Sequence, residues 1–283
     1  MKRKVKSVLA LLLTFALVLS VPFAFSTQEA SAASKKAKKV TINVMKSYTY
    51  NWKSSDGSFG KYVARNTFNS KGFITRNTAR ETYKEKGKKT KTTRYQSVYK
   101  YNKKGFLKSY KYTEKGKKKE TMSVKFNKKG LPVSAKSYQY KGKKKLLYSE
   151  ATFTWSGDAL VNVTWKNAAT GKSGAYNPEL RLSDVWEGDT PEKNDEDYKN
   201  NSGSYTDEED GSTTTYSTSY SFNKKGYLTR ETNKETVTYT DGTKTTSNAV
   251  WKYQTKRIKA KNLAIRAINY AIEDAVFYND MGD

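Results

Sequence analysis

Seven carboxylates, Asp56, Glu81, Glu85, Glu114, Glu120, Glu150 and Asp158, are the acid–base groups held by residues 33–174 of this 283-residue chain. Histidine and cysteine are absent throughout. That removes Ser-His-Asp and Cys-His nucleophile systems, His-based proton transfer and every His or Cys zinc site. Hydrolysis of a glycosidic bond needs only two carboxyl groups across a cleft, one with a raised pKa, so a carboxylate-dependent glycan hydrolase is the enzyme chemistry still open. Glu85 and Glu114 stand beside expected turns, where a cleft is hard to build. Ser-x-x-Lys pairs occur at Ser58/Lys61, Ser97/Lys100 and Ser221/Lys224. They fall on expected strands or turns, whereas such a nucleophile belongs at a helix start. Asp195-x-Asp197 opens like a calcium loop, yet Lys199 and Asn200 stand where an EF-hand requires Asp or Asn and then Gly. The sequence therefore predicts no catalytic residue, no metal ligand and no cofactor, and a non-enzymatic protein, with the glycan hydrolase as the alternative.

Charge points to a different kind of chemistry. Residues 33–174 carry 36 Lys/Arg against 7 Asp/Glu, a net of +29, whereas residues 175–283 carry 14 against 19, a net of −5. The first segment should attract anionic cell-wall polymers or acidic glycans, and nucleic acid without sequence preference, in a strongly salt-dependent way. Of the 54 basic residues 45 are Lys and 9 are Arg, which favours hydrated point charges over bidentate oxyanion forks. Lysine also protects exposed strands from edge-to-edge association.

The elements that must position these groups announce themselves as a repeat. Phe68-Asn-Ser-Lys-Gly-Phe-Ile, Tyr101-Asn-Lys-Lys-Gly-Phe-Leu, Phe126-Asn-Lys-Lys-Gly-Leu and Phe222-Asn-Lys-Lys-Gly-Tyr-Leu share one pattern. It suits a hairpin loop in which Asn bonds back to the turn backbone and Gly takes the left-handed position of a G1 bulge. Gly72, Gly105, Gly130 and Gly226 are thus the structural turn residues. Lys103, Lys104, Lys128 and Lys129, at two of those turns, are the candidate anion-binding residues. Lys-Gly-Lys turns centred on Gly87, Gly116 and Gly142 alternate with the first type, so one repeat is two strands and two turns. Between turns the sequence alternates as half-buried strands do. Met122, Val124 and Phe126 share a face, as do Tyr95, Tyr99 and Tyr101; Leu147, Ala151, Phe153 and Trp155; Val161, Val163 and Trp165; and Tyr216, Tyr220 and Phe222.

These patterns predict a mostly β fold, an antiparallel meander of about twelve strands forming an up-and-down sheet or barrel, with a C-terminal amphipathic helix. Nine strands are expected between 40 and 167 and three between 212 and 257. Residues 40–174 and 212–257 are the hairpin repeats, and 175–211 is expected to be an acidic disordered loop. Within 258–283, Ile265, Ile268, Ile272 and Val276 recur at helical spacing, with Arg266, Asn269 and Glu273 on a polar side and a capping role on the sheet. At the other end, Lys2, Arg3, Lys4 and Lys6 precede an apolar run from Val8 to Phe25 and an Ala30-Ser31-Ala32 site. This predicts a signal peptide over 1–32, a basic linker over 33–39 and no membrane span after cleavage, hence a secreted, extracellular or wall-associated protein.

The aromatic-Asn-x-x-Gly-x-Leu hairpin resembles the YD repeats of bacterial surface and RHS-type proteins, whose motif runs Tyr-Asp-x-x-Gly-x-Leu. Asn69, Asn102, Asn127 and Asn223 stand where those repeats have Asp. The chain also looks like smaller secreted bacterial proteins of unknown function built as large antiparallel, porin-like sheets or barrels. The resemblance implies an architecture and a surface setting and brings no active-site residues. The expectation is a secreted binding or structural module for anionic polymers or glycans, in which the many tyrosines could stack on sugars.

Overall fold

The computed structural model describes residues 40–183, 199–207, 211–260 and 264–277. The expected signal peptide, the linker over 33–39 and the Asp195-x-Asp197 spacing lie outside the described residues. The strands are β1 (Val40–Ser54), β2 (Phe59–Phe68), β3 (Ile74–Lys84), β4 (Lys91–Tyr101), β5 (Leu107–Glu114), β6 (Lys117–Phe126), β7 (Pro132–Lys141) and β8 (Lys144–Ser156). They continue with β9 (Ala159–Asn167), β10 (Ser173–Tyr176), β11 (Leu180–Arg181), β12 (Asn201–Thr206), β13 (Thr213–Phe222), β14 (Leu228–Thr238) and β15 (Lys244–Ala260), and one helix follows, α1 (Ala264–Phe277).

The turn chemistry explains why the strands fall where they do. In each aromatic-Asn-x-x-Gly turn the Asn N–H donates to the carbonyl four residues on, and the Gly N–H donates back to the Asn carbonyl. The Asn carboxamide then fastens the loop: Asn102 Oδ1 accepts from the N–H groups of Lys104, Gly105 and Phe106 at 3.0, 3.0 and 3.1 Å. Gly105 sits at φ 106°, where a side chain would be strained. A pairing shift adjoins each turn of this type, at Thr67/Phe68, Lys100/Tyr101, Lys125/Phe126 and Ser221/Phe222, so every copy carries the same bulge. Bulges increase local twist, and a repeated one bends the sheet in the same sense at each hairpin.

All fifteen strands form one antiparallel sheet, ordered β10-β9-β8-β7-β6-β5-β4-β3-β2-β1-β15-β14-β13-β12, with β11 also pairing β9. The sheet is open, since its edge strands β10 and β12 do not pair with each other. Of the two expected forms it is therefore the sheet and not the barrel. The seam at its centre joins β1 to β15 from Val40↔Ala260 to Ser54↔Ser247. Three strands exceed the expected twelve, and the expectation of a disordered loop over 175–211 fails at β11 and β12. Leu180 in β11 is buried against β9, opposite Leu160. β12 is exposed at every position and exists through its ladder with β13. A polar strand that pairs without burying anything leaves no hydrophobic period to read.

α1 lies on one face of the sheet, over β7, β8, β9 and β11. Ile268 and Ile272 are fully buried, with Ala267, Ala271 and Ala275 beside them. Beneath the helix Ala135 pairs with Ala151, both buried, and these small residues let it approach the sheet closely. Phe106, Leu107, Met122, Phe153, Leu160 and Val163 complete the core. The helix's supposed polar side turns out to be attached to the sheet. Asn269 is buried, accepting from the Leu107 N–H at 2.7 Å and donating to the Gly105 carbonyl at 3.0 Å. Arg266 donates to the Gly72 carbonyl at 2.7 Å. Two further corrections come from bulges. Leu147 is 38% exposed because a pairing shift beside it separates it from the face of Ala151 and Phe153. Leu160 is fully buried because a shift at Thr154/Trp155 leaves Val161 as the extra residue.

Candidate binding faces of the sheet

Three surfaces collect the chemistry-bearing residues. The first is the row of Asn-x-x-Gly turns along one end of the sheet. Antiparallel alternation places Gly72, Gly105, Gly130 and Gly226 at that end, each at positive φ. Neighbouring turns are tied together, as Lys71 Nζ donates to the Lys103 carbonyl at 2.5 Å and Asn102 Nδ2 to the Gly130 carbonyl at 3.1 Å. Lys103, Lys104, Lys128 and Lys129 are all exposed on this rim.

The second surface is the helical face continued beyond the helix. Cross-strand pairing places Glu231, Trp251, Tyr50, Tyr62 and Glu81 in one row across β14, β15, β1, β2 and β3. Trp251 and Tyr50 stack with centroids 4.6 Å apart, and Tyr48 stacks on Tyr62 at 5.5 Å. Each glutamate is held by a tyrosine: Tyr95 donates to Glu81 at 2.5 Å and Tyr253 to Glu231 at 3.0 Å. Burial raises the carboxyl pKa of Glu231 and of Glu120. These rings half-bury one another, so the face is a thin aromatic core with polar tips.

The carboxylates considered for hydrolysis scatter. Asp56 accepts from the Ser58 N–H at 2.8 Å within its turn, which lowers its pKa. Glu85 pairs with Lys88, and Glu150 with Lys136 at 2.8 Å. Asp158 belongs to a turn whose carbonyl accepts from Leu182. Glu81 and Glu120 lie three strands apart, roughly 14 Å laterally, beyond the roughly 5–9.5 Å that glycosidase carboxyl pairs span. Glu114 and Glu120 come nearer. Glu120 pairs opposite Tyr112, two residues from Glu114, with a pairing shift between them; in an unbroken ladder such diagonal positions are roughly 7–8 Å apart. Lys119 stands 3.6 Å from Glu114. The Ser-x-x-Lys pairs do not assemble: Ser97 is buried beside the Tyr110 hydroxyl while Lys100, an odd number of residues along β4, points to the other face. Ser58 Oγ is engaged by Asp56 and the Lys86 N–H.

The third surface was not singled out from the sequence. On the face opposite the helix, Lys61, Arg65, Arg80 and Arg94 line an open depression of about 800 Å³ together with Phe59 and Val63. Arg80 and Arg94 sit directly across the β3–β4 ladder. Their chemistry was hidden by the overall scarcity of Arg, although each lies seven residues from Gly87, the spacing of a cross-strand pair. No carboxylate lines the depression.

No protein-family model matches the chain, and no curated protein matches it. The YD-like turns therefore stand as a likeness of motif. Among solved structures, the chain is similar to a porin-like protein from Bacteroides uniformis, at 12% identity and a TM-score of 0.31, over 75% of this chain and 98% of that one. A proposed outer membrane protein from Bacteroides fragilis matches at 12% identity and a TM-score of 0.15, over 74% of this chain and 97% of that one. The TcdB2-TccC3-TEV structure matches at 9% identity and a TM-score of 0.19, over 65% of this chain and 16% of that one. At these identities and TM-scores nothing is carried over from these proteins to this chain.

Proposed function

We propose that this chain is a secreted, non-enzymatic β-repeat protein that binds anionic polymers or glycans at a bacterial surface. The observation that supports the reading is the sorting of charge between the two faces. Glu81, Glu120, Glu231 and Glu235 share the helical face by cross-strand register, whereas Lys61, Arg65, Arg80, Arg94 and Lys111 share the opposite face and Lys103, Lys104, Lys128 and Lys129 the rim. An extended basic surface with few acids attracts polyanions of any backbone, nucleic acid included, by releasing their counterions. The YD-like turns fit a surface setting. Titration of the protein from residue 33 against heparin, DNA and a phosphodiester wall polymer tests the reading at low and physiological salt. Affinity should fall steeply with salt, and changing Lys103, Lys104, Lys128 and Lys129 to Gln should flatten that slope for every polyanion alike. No binding at low salt, where a +29 segment is most attractive, would end this proposal.

A second reading, hydrolysis of a glycan, draws on Glu114 and Glu120. Burial raises the Glu120 carboxyl pKa, as a general acid requires. Release of new reducing ends from an acidic glycan, lost in Glu120→Gln, would replace the binding proposal with this one.

A further inference from the structure

We propose that the depression formed by Lys61, Arg65, Arg80 and Arg94 is a specific oxyanion site for a phosphate-bearing chain. This deepens the polyanion reading above and rests on it, but it assigns recognition to three guanidinium groups and takes it away from the lysine-rich rim.

The geometry carries the argument. The sheet brings together from three strands residues that are far apart in sequence: Lys61 and Arg65 from β2, Arg80 from β3, and Arg94 from β4. Val63 stands opposite Arg80, and Arg80 opposite Arg94, in one continuous row. Like charges directly opposite on a sheet are destabilising. Ordinary surfaces relieve this with a carboxylate, as Lys136 and Glu150 do across β7 and β8. Here no relief is present: among the described residues Arg65, Arg80 and Arg94 make no ion pair and no side-chain hydrogen bond, and all three are exposed. Three planar donor forks therefore face one open depression whose lining offers hydroxyl and amide oxygens but no anionic acceptor. Each fork takes two oxygens in parallel, so three of them need more acceptors than a single carboxylate offers. A phosphoryl group, with its several strong acceptor oxygens, satisfies converging forks. Phe59 and Val63 supply an apolar floor for the linking carbons of a chain threaded across the strands. Four of the nine arginines, Arg76 included, lie on β2–β4 in a chain that otherwise uses lysine five times as often. Random solvation of a basic surface gives no reason for that concentration, whereas bidentate recognition does.

The test keeps the charge and removes the forks. The triple variant Arg65→Lys, Arg80→Lys, Arg94→Lys and the native sequence, both from residue 33, are titrated with long-chain inorganic polyphosphate across a salt series, with poly-glutamate as the carboxylate comparison. Circular dichroism and thermal unfolding check that the exposed substitutions leave the sheet intact. The triple variant should bind polyphosphate about tenfold or more weakly with an unchanged salt slope. Its binding to poly-glutamate should hardly move. The rim variant with Lys103, Lys104, Lys128 and Lys129 changed to Gln should instead lose slope for both polymers. Equal polyphosphate affinity of the native and triple-Lys proteins overturns the site while leaving general polyanion binding in place. Equal loss on poly-glutamate overturns the phosphate assignment. Failure of the native protein to bind either polymer at low salt takes down both proposals together.

Discussion

The half of the sheet under α1 and the half around the β1–β15 seam are built from the same hairpin repeat, yet they bury different things. Under the helix, Phe106, Leu107, Met122, Leu160 and Val163 meet Ile268 and Ile272 in a dry, close-packed layer. Around the seam the same face holds Tyr48, Tyr50, Tyr62, Trp251 and Tyr253, interleaved with Glu81 and Glu231. Among the described residues of β12–β15, the fully buried large side chains reduce to Leu228. The comparison separates two roles that a sheet face can take. Turn chemistry and pairing set the scaffold, and the second layer decides whether the face becomes a hydrophobic core or a partly wet aromatic one. Stability should be unevenly distributed as a result, highest beneath the helix.

The largest effect that could break this contrast is a cavity. Ile268→Ala should cost roughly 2–5 kcal/mol in urea unfolding, whereas Tyr220→Ala, on a half-exposed position of β13, should cost about 1 kcal/mol. Equal losses would mean that the two halves are held together in the same way.

Next comes a comparison of turns. A Cβ on Gly105 would stand 2.7 Å from the Phe73 ring and 3.7 Å from Ile265, whereas one on Gly242, also at positive φ, meets nothing within 4 Å. Gly105→Ala should therefore cost roughly 2–4 kcal/mol, combining strain with overpacking, and Gly242→Ala about 1–2 kcal/mol from strain alone. Matching melting temperatures in the two variants would show that the Phe73 ring does not press on the Gly105 turn.

Acidity offers a third test. Burial raises the Glu273 carboxyl on α1 to about 7, and its neighbours on that side include Tyr101 and Arg266. The folded state thus keeps a proton that the unfolded chain releases near pH 4.5. Stability is fully present below that pH, falls as pH rises towards 7, and levels off above it. Glu120, Glu231 and Asp274 are shifted upwards as well and add to the same slope. Glu273→Gln should recover roughly 1–3 kcal/mol at pH 8 relative to the native protein, measured by urea midpoints at pH 5 and pH 8. A flat profile in the native protein would show that this side of the helix is solvated.

The smallest expected effect concerns charge. Residues 175–283 carry a net of −5 against +29 in residues 33–174. Amide replacement of Glu192, Asp195, Glu196 and Asp197 should raise affinity for a polyanion by about threefold at low salt and leave it unchanged at high salt. A gain that persists at high salt would point to something other than long-range field.

Much of the scaffold was legible because its signals are local. Asn102, Gly105 and Phe106 specify their own hairpin, and the alternation of Met122, Val124 and Phe126 shows which side is buried. The misses are non-local. Leu160 and Leu147 changed faces because of bulges that depend on the partner strand. β12 has no apolar period and exists only because β13 offers it an edge. Asn269 reads as a solvent-facing residue on a helical wheel, yet it completes the backbone bonding of a turn 162 residues away. The site is legible to a lesser degree still. Lysines at turns are visible in one dimension, whereas Arg65, Arg80 and Arg94 become a cluster only once three strands are laid side by side.

The seam also has a kinetic side. Apart from the short β9–β11 pairing, every other ladder in the meander joins strands that are neighbours in sequence, so each hairpin can form soon after its two strands are available. The β1–β15 ladder instead pairs residues 220 apart at Val40↔Ala260 and 193 apart at Ser54↔Ser247, and α1 follows it in the chain. Until these last elements arrive, β1 offers an unpaired edge some fifteen residues long and β7–β9 an uncovered apolar face. Closing that loop carries a large entropic cost before any contact rewards it. Refolding should accordingly show a fast phase of hairpin formation and a slow phase of seam closure, with aggregation confined to the interval between them.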